Sequence, residues 1–144
     1  MMAGSYSGAA MNIFISDDSD ALRERLCAVL SENNRLCVVG QSGTVGKTLN
    51  GVKALKPDVL IQDISMREEN GLQVVEEIKR SLPKTVIIVL TNHPEPQYRT
   101  MSLQAGADHF FLKSSGWKSL LSLLQRMTSE ERTAAWLQKD NPHE

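Results

Sequence analysis

Residues 85–90 read TVIIVL, a run that is rich in β-branched residues and apolar without alternation. A strand with one wet face alternates apolar and polar residues. A run that does not alternate belongs to a sheet covered on both faces, which is the habit of parallel sheets packed between helices. Four further runs are spaced along the chain: Met11–Ser16, LCVVG at 36–40, DVLIQD at 58–63 and HFFL at 109–112. Between them lie segments with helical periodicity. Asp20–Asn34 places Leu22, Leu26, Val29 and Leu30 on one face, and Thr44–Leu55 is a weaker helix that stops before Pro57. Gly71–Leu82 carries Leu72, Val75, Ile78 and Leu82 inward, and Pro94 and Pro96 open a fourth helix. Ser115–Met127 turns Leu120, Leu121, Leu124 and Met127 inward. Five strands alternating with five helices predict an α/β fold of (βα)5 type, a parallel sheet between two helical layers with right-handed crossovers. Ligands of such sheets bind at the carboxyl ends of the strands.

Those ends carry charge. IFISDDSD (13–20) places Asp17 and Asp18 just past the first strand. Asp63 ends the third strand, Thr91 the fourth and Lys113 the fifth. Three converging carboxylates repel one another unless a cation joins them, and hard oxygen ligands few in number suit Mg²⁺ with water completing its shell. A carboxylate beside a metal, an ammonium and a hydroxyl is equipped to accept a phosphoryl group by in-line attack. Acids also cap helices, but Ser19 and Asp20 are the better candidates for capping the first helix.

The chain has 144 residues, 41% of them hydrophobic, which fits one domain with a sizeable core. With 16 basic against 17 acidic residues it lacks the basic footprint of a nucleic-acid binder. No apolar run approaches the roughly 20 residues of a membrane span. MMAGSYSGAA has neither the charge nor the apolar stretch of a signal peptide. Residues 1–10 are therefore expected to be a disordered tail, 11–127 the domain, and 128–144 an extension with a short helix over TSEERTAAWLQK. Cys27 and Cys37 are expected to be buried free thiols of a cytoplasmic protein.

In this order the motifs resemble the receiver domain of two-component response regulators, in particular single-domain receivers of the chemotaxis kind. The pieces are DD after strand one, LIQDISMREENG with a glycine eight positions past the aspartate, VLTN, AGADHF and FLK. The resemblance covers Met11 to about Met127. It implies the flavodoxin-like strand order 2-1-3-4-5, Asp63 as phosphoacceptor, and Mg²⁺ held by Asp17, Asp18, Asp63 and the carbonyl of Ser65, with Asp18 the direct ligand of the pair. It implies Thr91 and Lys113 as the phosphate-sensing pair and Phe110 as the switch aromatic. It further implies a histidine kinase or phosphotransfer protein as donor, a downstream protein target, and a phosphorylation-dependent homodimer as one form of output. Such a domain catalyses only its own phosphoryl transfer and autodephosphorylation.

The sequence departs from the commonest pattern of that family at four positions. Arg67 and Ser114 stand where proline is usual, Asn92 where a small residue is usual, and Phe110 where tyrosine is commoner. Asn92 narrows access to Asp63 and bears on phosphorylation rate. Without proline at 114 a cis bond costs roughly 3 kcal/mol, so that bond is expected to be trans or a strained cis.

Two decoys fail on their own patterns. GTVGKT (43–48) lacks the glycine that a phosphate-binding P-loop needs at 41, where Gln41 stands. DSD (18–20) is similar to the aspartate pair of haloacid-dehalogenase-like phosphatases, but Leu22 replaces the threonine or valine they require. A phosphorylation-independent pseudo-receiver is the alternative reading. With about 17 residues after Met127, too few for a DNA-binding module with its own core, output is expected through protein contact. The expected surface is the face of helices four and five with Gln97, Tyr98, Arg99 and Lys118, and with Trp136 and Leu137 in the tail.

Overall fold

Strand β1 (Met11–Ser16) lies inside a five-stranded parallel sheet. It pairs with β2 (Leu36–Ser42) on one side and β3 (Val59–Gln62) on the other. β4 (Val86–Thr91) follows β3, and β5 (His109–Leu112) forms the far edge, so the order is β2-β1-β3-β4-β5, the order that the receiver resemblance implies. This is a computed structural model of the protein, and it describes residues 10–67 and 69–129. The expected tail helix over 128–139, and with it Trp136 and Leu137, lies outside the described residues apart from its first two positions.

Five helices flank the sheet: α1 (Asp20–Leu30), α2 (Val45–Leu55), α3 (Leu72–Ser81), α4 (Pro96–Ala105) and α5 (Trp117–Thr128). The side chains of β3 and β4 are buried on both faces, which is what TVIIVL requires. One core layer joins Ile13, Ile15, Ile61, Ile88 and Leu90 to Leu26 and Leu30 of α1 and Leu120 and Leu124 of α5. The other joins Phe14, Leu60, Ile87 and Val89 to Val52 of α2 and Val74, Val75 and Ile78 of α3. Each such leucine or isoleucine contributes about 1.5–3 kcal/mol by leaving water. None of the described helices is long and apolar enough to cross a membrane.

Several boundaries differ from the periodicity, each for a local reason. α1 ends at Leu30, not Asn34, because the Asn33 side chain accepts the N–H of Arg35 and offers the backbone a turn instead. Ser19 is its N-cap and accepts from the N–H of Leu22. β2 runs on to Ser42, whose carbonyl accepts the Asp17 N–H at 3.0 Å. α5 begins at Trp117 with Gly116 as N-cap, leaving Ser115 in the preceding turn. Cys27 is half-buried and Cys37 is exposed on the edge strand β2, so the expectation of two buried thiols is corrected, while both are free. All peptide bonds among the described residues are trans, that before Ser114 included.

AGADHF has a structural explanation. Gly106 closes α4 at φ 118°, a left-handed conformation that a side chain disfavours. Asp108 then accepts the Ile87 N–H at 2.8 Å and the Lys79 ammonium at 2.9 Å, joining β4, β5 and α3.

Gly71 is fixed by contact. A Cβ there would lie 2.0 Å from the Asp63 carbonyl oxygen and 2.7 Å from Ile64 Cα. The Gly71 N–H also donates to the Ile64 carbonyl at 2.9 Å, so α3 starts against the backbone of Asp63. Gly71→Ala is expected to cost about 3 kcal/mol, since backbone must move to admit the methyl. Urea unfolding measures it, and a loss below about 1 kcal/mol would contradict this packing.

Candidate functional site

The parallel order brings the carboxyl ends of β1, β3, β4 and β5 to one edge. Asp17 and Asp63 are only 3% and 4% exposed there. Carboxylate oxygens of Asp17, Asp18 and Asp63 all lie within 4.8 Å of one another. The Lys113 ammonium sits between two of them, 2.8 Å from Asp17 Oδ2 and 3.2 Å from Asp63 Oδ2. Backbone donors complete the pair: Ser19 N–H donates to Asp17 Oδ1 at 2.9 Å, and Ser65 N–H to Asp63 Oδ1 at 3.2 Å. Thus Asp17, Asp18, Asp63 and Lys113, read as strand ends in the sequence, form one cluster, with Ser65 at its rim.

Thr91 is fully buried at the end of β4, and its Oγ1 accepts the His93 N–H at 3.4 Å. The Thr91 carbonyl accepts the Lys113 N–H at 2.8 Å, so a backbone hydrogen bond ties the hydroxyl-bearing strand to the lysine-bearing one. Phe110 is half-buried in β5, packed on the layer of α2 and α3, with the Arg99 guanidinium 5.9 Å from its ring centroid. Asn92 is exposed beside Thr91.

Three residues at the site were not singled out as site residues in the sequence. Arg23 donates to the Asp17 carbonyl at 2.6 Å and to Gln41 at 2.9 Å, and it pairs with Asp20. Its position one turn into α1 was the available signal. Gln62 is fully buried at the end of β3, next to Asp63, and its amide donates to the Asp63 carbonyl at 2.7 Å and to Met66 Sδ at 3.1 Å. A glutamine inside DVLIQD was its signal. Arg67, read only as a missing proline, lies with Nε 3.7 Å from Asp18 Oδ2. The P-loop decoy resolves into the start of α2, where Thr44 caps the helix and buried Thr48 shares a hydrogen bond of 2.8 Å with Ser16.

Burial, and then the charge of Asp17, push the Asp63 carboxyl above its ordinary value; Lys113 and the Ser65 N–H pull the other way without reversing it. Burial alone would push the Lys113 ammonium down, but its bond to Asp17 and the charges of Asp63 and Asp17 raise it above its ordinary value. The cluster therefore holds more negative charge than a single lysine balances. Its donors are hard oxygens grouped closely enough for one ion, and Asp18 is partly exposed, so the residues fit a divalent cation with water in its shell.

Residues 13–125 match the family described as the response regulator receiver domain. The chain belongs to that family. It is 32% identical over 115 residues to the uncharacterized transcriptional regulatory protein YhcZ of Bacillus subtilis, covering 80% of this chain and 54% of that one. It is 28% identical over 122 residues to the response regulator GacA of Pseudomonas aeruginosa, covering 85% of this chain and 57% of GacA. The chain thus spans about half the length of the curated relatives it matches. Among solved structures, the isolated receiver domain of RcsB from Salmonella enterica with the phosphomimetic BeF3⁻ superposes with a TM-score of 0.72 at 28% identity, covering 81% of this chain and 89% of that one.

The raised Asp63 pKa carries a stability prediction. A group whose folded pKa is raised contributes stability that is complete below its unfolded value of 3.8 and lost as pH rises through the folded value. At neutral pH the ionised carboxylate therefore opposes folding. Without divalent cations, Asp63→Asn is expected to raise Tm by a few degrees at pH 7, with the gain shrinking as pH falls through the carboxylate range. Thermal unfolding across pH checks this, and a variant no more stable than the parent at pH 7 would contradict it.

Proposed function

We propose that this receiver domain is a phosphoacceptor in a two-component phosphorelay, modified on Asp63 by a histidine kinase or phosphotransfer protein. The observation that carries the reading is the Lys113 ammonium touching both Asp17 and Asp63 in a cluster that still has carboxylate charge to spare. The RcsB receiver, whose structure was determined with a phosphomimetic, supports the same chemistry here. An intact acid cluster favours this reading over a pseudo-receiver.

The chain's own groups suit each part of the transfer. An oxygen of Asp63 attacks phosphorus, the bond to the donor's leaving atom breaks, and an acyl phosphate forms. Mg²⁺ would be held by Asp17, Asp18, Asp63 and the Ser65 carbonyl, and when bound it neutralises phosphoryl oxygens. One Asp17 oxygen already accepts the Ser19 N–H and the other is ion-paired with Lys113, so Asp18 is the better direct ligand. Lys113 exchanges its contact with Asp63 for one with the new phosphoryl oxygens. Thr91 offers its hydroxyl to the same group. Because the Lys113 N–H is bonded to the Thr91 carbonyl, both movements reach β5 and Phe110 together. That shifts an existing equilibrium in the face of α4, β5 and α5.

The receiver is taken to span 11–127 with 128–144 as an extension, to work in the cytoplasm, and to catalyse only its own phosphoryl transfer and autodephosphorylation. Its proposed output is altered protein contact, including a phosphorylation-dependent homodimer, without nucleic-acid contact by this chain.

Mass spectrometry after treatment with acetyl phosphate and Mg²⁺ is expected to add about 80 Da to the parent and nothing to Asp63→Asn. Labelling that survives in that variant would reject Asp63 as acceptor. Lys113→Ala is expected to remain modifiable but to lose the phosphorylation-dependent change in amide exchange over α4 and β5. Full retention of that change would reject the lysine's role.

A further inference from the structure

The loop after β3 is held more firmly than a connection requires. Ser65–Met66 pairs antiparallel with Glu69–Asn70. Met66 is buried, and its sulfur receives the Gln62 amide at 3.1 Å and the Ser16 hydroxyl at 3.6 Å. Glu69 Oε1 accepts the N–H of Val45, the first residue of α2, at 2.9 Å. At the tip Arg67 takes φ 55°, a left-handed conformation closed to proline and uncommon for long side chains. From this clamped turn its guanidinium reaches Asp18, just past β1, with Nε 3.7 Å from Asp18 Oδ2. Each carboxylate of the cluster thus faces a cation. Lys113 serves Asp17 and Asp63 from within the fold, while Arg67 serves Asp18 with a side chain 78% exposed.

We infer that Arg67 is a resident counter-ion of Asp18 that a divalent cation must displace, so that Arg67 sets the metal concentration at which the site loads. The inference rests on the metal reading of the acid cluster. Guanidinium and metal compete for one carboxylate, and a positive charge near the emptying site also repels the arriving ion. The pair is exposed and screened by solvent, so the effect is modest: exposed ion pairs move such equilibria by roughly two- to fivefold. The exposed side chain swings clear without disturbing the core, which makes the competition reversible.

The test is calorimetric titration of the whole chain with Mg²⁺, without phosphodonor, in the parent and in Arg67→Asn, Arg67→Lys, Asp18→Ala and the Arg67→Asn/Asp18→Ala double variant. Asparagine accepts a left-handed backbone and removes the charge. Arg67→Asn is expected to tighten the Mg²⁺ dissociation constant about two- to fivefold. Arg67→Lys is expected to stay near the parent, and Asp18→Ala to weaken binding and abolish the effect of Arg67→Asn in the double variant. Unchanged or weaker affinity in Arg67→Asn, with Asp18→Ala still impaired, overturns the role of Arg67 and leaves the metal reading standing. Tightening by Arg67→Lys as large as by Arg67→Asn overturns it too, because the charge is kept. Mg²⁺ binding absent from both parent and Arg67→Asn brings down the metal reading and this inference together.

Discussion

The Lys113 ammonium between Asp17 and Asp63 is the contact on which the site depends. Two nearly buried carboxylates with a third beside them are not a stable arrangement by themselves. One lysine from the edge strand makes the cluster tolerable without neutralising it, and the carboxyl of Asp63 stays harder to ionise than an ordinary aspartate. The remaining supports are local: N–H groups of Ser19 and Ser65 on the carboxylates, and Arg23 on the Asp17 carbonyl. A site left short of positive charge is suited to recruit a cation, which is the basis of the proposed metal chemistry.

The same lysine links the cluster to the sheet. Its side chain reports on Asp17 and Asp63, while its N–H is part of the ladder to Thr91. Side-chain displacement at the acids therefore acts on a backbone whose neighbour on β5, Phe110, lies half-buried under Arg99. β3 and β4 are buried on both faces, while burial is partial in β5 and α4, so the proposed switch has its room to move in β5 and α4. α4 fits that description: Ser102 is its buried residue, and Met101 and Leu103 are exposed.

Much of this was legible in the sequence because burial on both faces leaves a plain signature. TVIIVL announced a strand covered on both faces and DVLIQD a further strand, and a parallel sheet then placed Asp17, Asp63, Thr91 and Lys113 at one edge. Pairings across that edge were not legible. That Lys113 bridges Asp17 and Asp63 follows from strand order and register, which single strands do not encode. Arg67 was harder still, since its contact with Asp18 depends on a left-handed residue at the turn of a ladder of two residues a side, too short for any period to reveal. The end of α1 failed in the other direction: apolar spacing favoured helix to Asn34, and one Asn33 side-chain hydrogen bond competed with it.

The polar layer under Asp63 shows where local rules give way. At the ends of β1 and β3, Ser16 and Gln62 are fully buried against Thr48 and Met66, where burial on both faces calls for apolar side chains. Gln62 Oε1 is the buried side-chain polar atom without a partner among the described residues. Leaving such an acceptor unpaired costs about 1–3 kcal/mol, so an apolar residue would suit stability better. What the glutamine supplies is its Nε2 on the carbonyl of Asp63, at the point where Gly71 also packs within van der Waals reach. The backbone beneath the Asp63 carboxylate is thus held from both sides, as the proposed modification of that carboxylate would require. Departures of sequence from local preference are expected at functional sites, and here the departure falls directly beneath Asp63.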